Sequence, residues 1–298
     1  MSPVSRDSSG GLAYLGLQAQ ARSSGRPTDE LIQLYALEGF LARLVLSPIR
    51  DRFVLKGGVL LAAFGDRRPT RDVDLAGLDL DNDAEVVRGL VCDIVTVRLP
   101  VDDGLEFDPS TTTSELIREA DQYSGVRVGV DARLARARSR FHVDVNVGDP
   151  IWPEPAVVRV PRLLGGPPIE LAGYPLHMVH AEKIVTAVQR GVVNTRWRDF
   201  ADVWTLSRHH PVDGSDLQIA IAQVARHRQA QLVPLADTLP GYAALAQGRW
   251  AAWRRRNSRD QLPESFATVL DSVIRFADSA LAGQVEGQVW DPSRATWQ

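Results

Sequence analysis

Asp72 and Asp74 stand two apart in "TRDVDLA", a stretch that otherwise reads as a strand. On a strand they share one face, while Val73 and Leu75 take the other. Same-face neighbours lie about 7 Å apart, and two carboxylates there repel by about 2 kcal/mol at an effective dielectric of about 20. A divalent cation removes that repulsion, because hard Mg²⁺ takes carboxylate oxygens. The segment "FHVDVNV" offers a third acid, Asp144, on one face with His142 and Asn146, opposite Phe141, Val143, Val145 and Val147. If this strand lies beside the first, its acid joins the other two. Asp131 and Asp149 are weaker candidates, since neither is flanked on both sides by large apolar residues. The competing interpretation is an acidic sheet edge facing solvent.

The element before the acids matters as much. "RFVLKGG" predicts a short apolar strand ending in Gly57 and Gly58, and "VLLAAFG" predicts a short helix after it. Thirteen residues separate Gly58 from Asp72. Glycines at such a turn let backbone N–H groups approach a phosphate, and a helix N-terminus adds partial positive charge. Any tight turn also uses glycines, so the pair alone decides nothing. Together with D-x-D at this distance and a later h-D-h strand, it spells the pattern of nucleotidyltransferases related to DNA polymerase beta.

A helix opens at Pro27, Thr28 and Asp29 with Leu31, Leu34, Tyr35, Leu41 and Leu44 as its apolar residues, and "DNDAEVVRGLV" predicts another. "SGVRVGVDARL" and "RFHVDVNVGD" alternate with period two and predict paired strands. Residues 149–176 are rich in Pro and Gly and read as a boundary with one or two short strands. Beyond them the pattern is helical over 177–190, 195–208, 215–231, 238–256 and 263–283, and the tail "EGQVWDPSRATWQ" shows no clear element. The predicted architecture is α/β (α+β): a loose lead-in over 1–26, a mixed-sheet domain over 27–160 and a mainly helical domain over 161–298, with an active cleft between the two.

The helical half carries a second constellation in "HAEKIVTAVQRGVVNTRWRDFADVWTL". Trp197, Phe200, Ala201 and Trp204 fall at i, i+3, i+4 and i+7 and predict a buried face, with Asp199 and Asp202 pointing away from it. Ile184, Val185 and Val188 predict the buried stripe of the preceding helix, which leaves Lys183 toward a cleft or solvent. Arg–Asp pairs at such spacings commonly stabilise a helix by only about a few tenths of a kcal/mol. The functional alternative is that Lys183, Arg198 and these acids line the cleft.

Composition narrows the classes. With 298 residues, 44% hydrophobic and 24% charged, the chain has material for substantial cores and is not disordered overall. The lone Cys92 forms no intrachain disulfide. No apolar run reaches the roughly 18 residues of a membrane span, and "MSPVSRDSSGG" lacks an apolar leader core, so a cytoplasmic protein is expected. A net charge of −3 confines any nucleic-acid contact to local patches, for which "RLARARSR" and "RWAAWRRRNSR" are the candidates beside a merely solvated surface. Walker, dinucleotide, zinc-protease and nucleophile-elbow motifs are missing. His177 and His180 have no cysteine near them in sequence and read as surface histidines.

"FVLKGG…RPTRDVDL" followed by "YPLHMVHAEKIVTAVQRG…NTRWRDFADVWTL" resembles the AbiEii family of nucleotidyltransferase toxins, which includes the MenT toxins of mycobacteria. The resemblance covers roughly residues 28–210. It implies a toxin–antitoxin pair with an AbiEi-type antitoxin, two Mg²⁺ ions, an NTP substrate and NMP transfer to the 3′ end of tRNA. By motif match, Lys56, Gly57 and Gly58 hold the triphosphate, and Asp72 and Asp74 hold magnesium, helped by Asp144. Lys183, Asp199 and Asp202 match the helical motif, with Lys56 or Lys183 stabilising the phosphates and Arg71 and Arg198 beside the nucleotide. Val59 stands where the family usually has Ser or Thr, which removes one hydroxyl from the phosphate site. The alternatives are nucleotidylylation of a protein hydroxyl, or a catalytically weakened nucleotide- or RNA-binding module.

Overall fold

The computed structural model describes residues 5–119, 123–257 and 259–298. The chain forms two compact units, one of residues 1–148 with 156–173 and the other of residues 149–155 with 174–298.

The first unit opens with helix α1 (Ser9–Ser24), in the segment read from sequence as a loose lead-in, of which residues 1–4 lie outside the described residues. The Ser8 hydroxyl caps it by accepting the Gly11 N–H at 3.1 Å, and Ala13, Tyr14, Leu17 and Ala21 bury its inner face. Next come α2 (Thr28–Leu46), β1 (Phe53–Lys56), α3 (Gly57–Leu60), β2 (Asp72–Gly77) and α4 (Ala84–Val95). Then follow β3 (Leu105–Glu119), β4 (Tyr123–Leu134), β5 (Ala137–Val147), β6 (Ala156–Val160) and β7 (Ile169–Gly173). These strands form one sheet in the order β3-β4-β5-β2-β1-β7-β6. The pairs β2–β5 and β1–β7 are parallel and the others antiparallel, so the sheet is mixed, as predicted.

Helix α2 packs on β5 and β7, and α4 packs on β3 and β4. Phe40 and Phe141 meet edge to face at 5.9 Å between centroids, and Phe107 meets Phe141 in the same way at the same distance. Two charges lie buried within α2. Glu38 accepts the Leu163 N–H and pairs with Arg67, while Arg43 makes a two-pronged pair with Asp103 at 2.7 and 3.0 Å.

The second unit contains α5 (Leu176–Arg190), α6 (Trp197–His209), β8 (Val212–Asp213), α7 (Gly214–His227), α8 (Leu235–Thr238), α9 (Tyr242–Arg256) and α10 (Phe266–Leu281). The tail is not irregular. β9 (Val289–Asp291) and β10 (Thr296–Trp297) form a hairpin that continues a small sheet from β8. Trp290 and Trp297 explain it: both pack on Phe276, at 4.9 and 5.4 Å, and the Trp290 indole donates to the Ser207 carbonyl. His177 and His180 are also not surface residues. His180 is fully buried 4.8 Å from the Phe276 ring, and burial pushes its pKa down to about 3.

Candidate active site

Sheet register brings the predicted acids together. Asp74 on β2 stands opposite Lys56 on β1 and opposite Asp144 on β5, and Asp144 stands opposite Arg127 on β4. One transverse row therefore reads Lys56, Asp74, Asp144, Arg127. One step along, Asp72 faces His142, whose Nδ1 lies 3.1 Å from the carboxylate.

The glycine turn is shaped by this row. Gly57 has φ +66°, and a Cβ there would fall 1.9 Å from the Asp74 Oδ2. The Gly58 N–H donates to the same oxygen at 3.3 Å, and a Cβ on Gly58 would meet the Thr70 hydroxyl at 2.6 Å. The sequence explanation of these glycines was access to a phosphate. The geometry adds a second reason: only glycine lets the turn pass so close to a carboxylate. Val59 points into the core, 6% exposed.

Asp74 is half-buried, and its carboxyl is pushed up to about 6. Burial is the largest cause and the Asp144 charge adds to it; Lys56 opposes them, and Asp72 raises the value further. Such crowding of acids against one lysine is what a divalent cation relieves, and the oxygen donors suit a hard ion. As the side chains stand, however, no three acids or histidines among the described residues are gathered closely enough to hold a metal. Asp144 is buried, and Arg127 grips both its oxygens at 2.8 and 2.7 Å, an interaction that holds the guanidinium well above its ordinary pKa.

Arg127 is the residue that sequence reasoning missed. Nothing in "SGVRVGVD" marks it except alternation, and its partner lies 17 residues on, across a hairpin whose register only the fold reveals. Arg71 is exposed at the entrance of β2, with its carbonyl accepting from Gln33 of α2 at 3.4 Å. Asp131 pairs with Arg140 on β5, and Asp149 with His227 in the second unit.

The helical constellation departs from expectation. Asp199 and Asp202 do not point outward; they are 8% and 1% exposed, and Lys183 donates to both, at 2.8 and 2.7 Å. Arg196 donates to the other oxygen of Asp199 at 2.8 Å. Lys183 thus bridges the two acids, and buried charges are stable only when paired in this way. The buried face of α6 runs through Phe200, Ala201, Val203 and Leu206, while Trp197 and Trp204 are half-buried. Arg198 is exposed, with its guanidinium over the Trp197 ring at 5.9 Å.

Strand-borne acids meeting across a parallel pair, beside a glycine turn, suit the class of nucleotidyltransferases. Comparison of the sequence with known families narrows the class. The model of the nucleotidyl transferase AbiEii toxin of type IV toxin–antitoxin systems matches residues 39–272, and the chain belongs to that family. It is therefore a nucleotidyltransferase, and membership implies an NTP substrate and an antitoxin partner. Two Helicobacter pylori crystal structures align with it. One, provisionally assigned as a nucleotidyltransferase, shares 13% identity over 85% of this chain and 96% of its own, with a TM-score of 0.49. The other, JHP933, shares 14% over 83% of this chain and 91% of its own, with a TM-score of 0.46. The curated proteins contain no match. Among the described residues no helix is long and apolar enough to cross a membrane.

Proposed function

We propose that the protein transfers an NMP from an NTP to the 3′ end of tRNA in the cytoplasm, in a Mg²⁺-dependent reaction that blocks translation until an AbiEi-type antitoxin counters it. The observation that carries this reading is the register of Asp74 with Asp144 on parallel neighbours, with Asp72 two residues away. Asp72 and Asp74 would hold the cations, and Asp144 would join them from the adjoining strand. Bound there, the ions would lower the acceptor hydroxyl's pKa and neutralise charge on the leaving group. Lys56, Gly57, Gly58 and Arg71 would hold the triphosphate, with Lys56 acting as a point charge beside the acids. The 3′ oxygen forms a bond to the α-phosphorus as the bond to the β-phosphate oxygen breaks, pyrophosphate leaves, and the hydroxyl proton passes to water. By family resemblance Lys183, Arg198, Asp199 and Asp202 belong to the same machinery.

Incubation with each α-labelled NTP, Mg²⁺ and either total tRNA or total protein tests the reading. Label is expected on tRNA. Asp74→Asn is expected to abolish transfer while the protein stays folded, because the change relieves repulsion in a crowded row. Label on protein alone would reassign the acceptor, and full activity of Asp74→Asn would sink the carboxylate site.

A further inference from the structure

The two arginine-rich stretches differ in how the fold uses them. In 133–140, Arg133 pairs with Glu106, Arg140 pairs with Asp131 and bonds Thr113, and Arg136 lies over the Tyr14 ring at 5.6 Å. Three of those four arginines are engaged inside the first unit. α9 is the reverse. It carries Arg249, Arg254, Arg255 and Arg256 and no acidic residue. Arg249, Arg255 and Arg256 are exposed and make no ion pair among the described residues.

These free charges border an aromatic platform. Trp253 of α9 and Trp197 of α6 are half-buried, 5.2 Å apart between centroids, and both rest on Trp250, which is fully buried. Arg198 covers Trp197 from the outside. Beside them a cleft of about 330 Å³ is lined by Val192, Val193, Trp197, Leu245 and Arg249, with Val193 80% and Leu245 69% exposed. Large apolar side chains left open beside unneutralised guanidinium groups mark a surface for a partner that is flat and apolar in one part and anionic in another. Single-stranded nucleic acid has that chemistry, since its bases stack on aromatic rings while arginines track its phosphates.

We infer that α9 and the segment 192–198 form a docking surface for single-stranded RNA, with Trp253 as the stacking ring and Arg198, Arg249 and Arg256 on the backbone. The inference rests on the proposed RNA acceptor and deepens it by assigning where the acceptor's single-stranded end is held. Acidic protein is the competing occupant, and its binding would rely on charge without the platform.

Fluorescence anisotropy of the full chain with a labelled unstructured dodecaribonucleotide, titrated at several salt concentrations, tests it. A labelled acidic peptide of equal length runs beside it. The Arg249→Gln, Arg256→Gln double variant changes two exposed side chains and is expected to bind RNA with a log–log salt slope shallower by about 1.4, since each single-strand phosphate contact contributes about 0.7. Trp253→Leu is expected to lose affinity about tenfold with its slope unchanged, the signature of lost stacking. NTP binding should be the same in all three proteins. Wild-type slope and affinity in the double variant would overturn the surface while leaving the RNA acceptor standing. Equal binding of the acidic peptide, weakened equally in the double variant, would make it a protein surface. A wild-type protein without RNA affinity would remove both the surface and the acceptor reading.

Discussion

Arg127 decides what Asp144 can do. A carboxylate gripped at both oxygens by a guanidinium has little left to offer a cation, so Arg127 sets how far the third acid takes part. Replacing it with Gln keeps the length of the side chain and removes the charge. The pair is partly open, with the arginine side chain 34% exposed, so solvent screening reduces the stability at stake to about 1–2 kcal/mol. Removing a positive charge and freeing a carboxylate both favour a divalent cation. Arg127→Gln is therefore expected to melt lower than wild type without metal, to bind Mn²⁺ several-fold more tightly without NTP, and to recover more of its melting temperature when Mn²⁺ is added. Unchanged Mn²⁺ affinity would mean that Asp144 faces away from the cation site. The acids themselves were legible because alternation in "RDVDLA" and "FHVDVNV" reports which side chains share a face. Their neighbours Arg127 and His142 were not legible as partners, since register is a property of pairing and no single strand encodes it.

On the scale of elements, α5 and α6 are joined by charge as well as by apolar contact. Lys183 is 13% exposed and Asp202 1%, and the sequence misjudged both because an amphipathic pattern assigns charged residues to solvent by default. A charge-balanced network can be buried against that default. Lys183→Met would take from Asp199 and Asp202 the cation they share, and loss of one partner from a buried pair costs about 3–5 kcal/mol. Adding Asp202→Asn restores charge balance and should recover a large part of that loss in urea unfolding. Transfer activity then separates two roles for the pair: a folded but inactive double variant would place Lys183 and Asp202 in the reaction, and wild-type transfer by it would leave both as structural groups. Two further elements were invisible for related reasons. α1 lies in a stretch rich in Ser, Gly and Arg, which reads as a loose segment, yet Ala13, Tyr14 and Leu17 bury one side of it. β3 passes through "DPSTTTSE" at the edge of its sheet, where half the side chains face water and strand pairing shifts register between Asp108 and Thr113.

Acid acts with opposite signs on one group in each unit of the molecule, Asp74 and His180. Asp74 has its pKa raised from 3.8 to about 6, so its share of stability is fully present below about pH 3.8 and is lost as pH rises through 6. His180 has its pKa depressed from 6.5 to about 3, so its share is present above pH 6.5 and is lost as pH falls toward 3. Burial is the main cause, helped by His177, Lys183 and His210, and neither ring nitrogen has a hydrogen-bond partner among the described residues. Between pH 6 and 4 the share from Asp74 therefore grows while the share from His180 shrinks, and a melting curve of the whole chain blends the two. Tryptophan separates them, because all seven, from Trp152 to Trp297, belong to the second unit. Urea unfolding followed by tryptophan emission should show the second unit losing about 2 kcal/mol between pH 7 and pH 5, 1.5 units below the ordinary histidine pKa at about 1.4 kcal/mol per unit. His180→Leu removes the proton-binding site and two unpartnered nitrogens at similar volume, so it should be neutral or stabilising at pH 7. The same variant should lose clearly less than wild type at pH 5, the remainder coming from His177, whose pKa burial also lowers. An equal loss in variant and wild type would place the acid sensitivity of the second unit in groups other than His180.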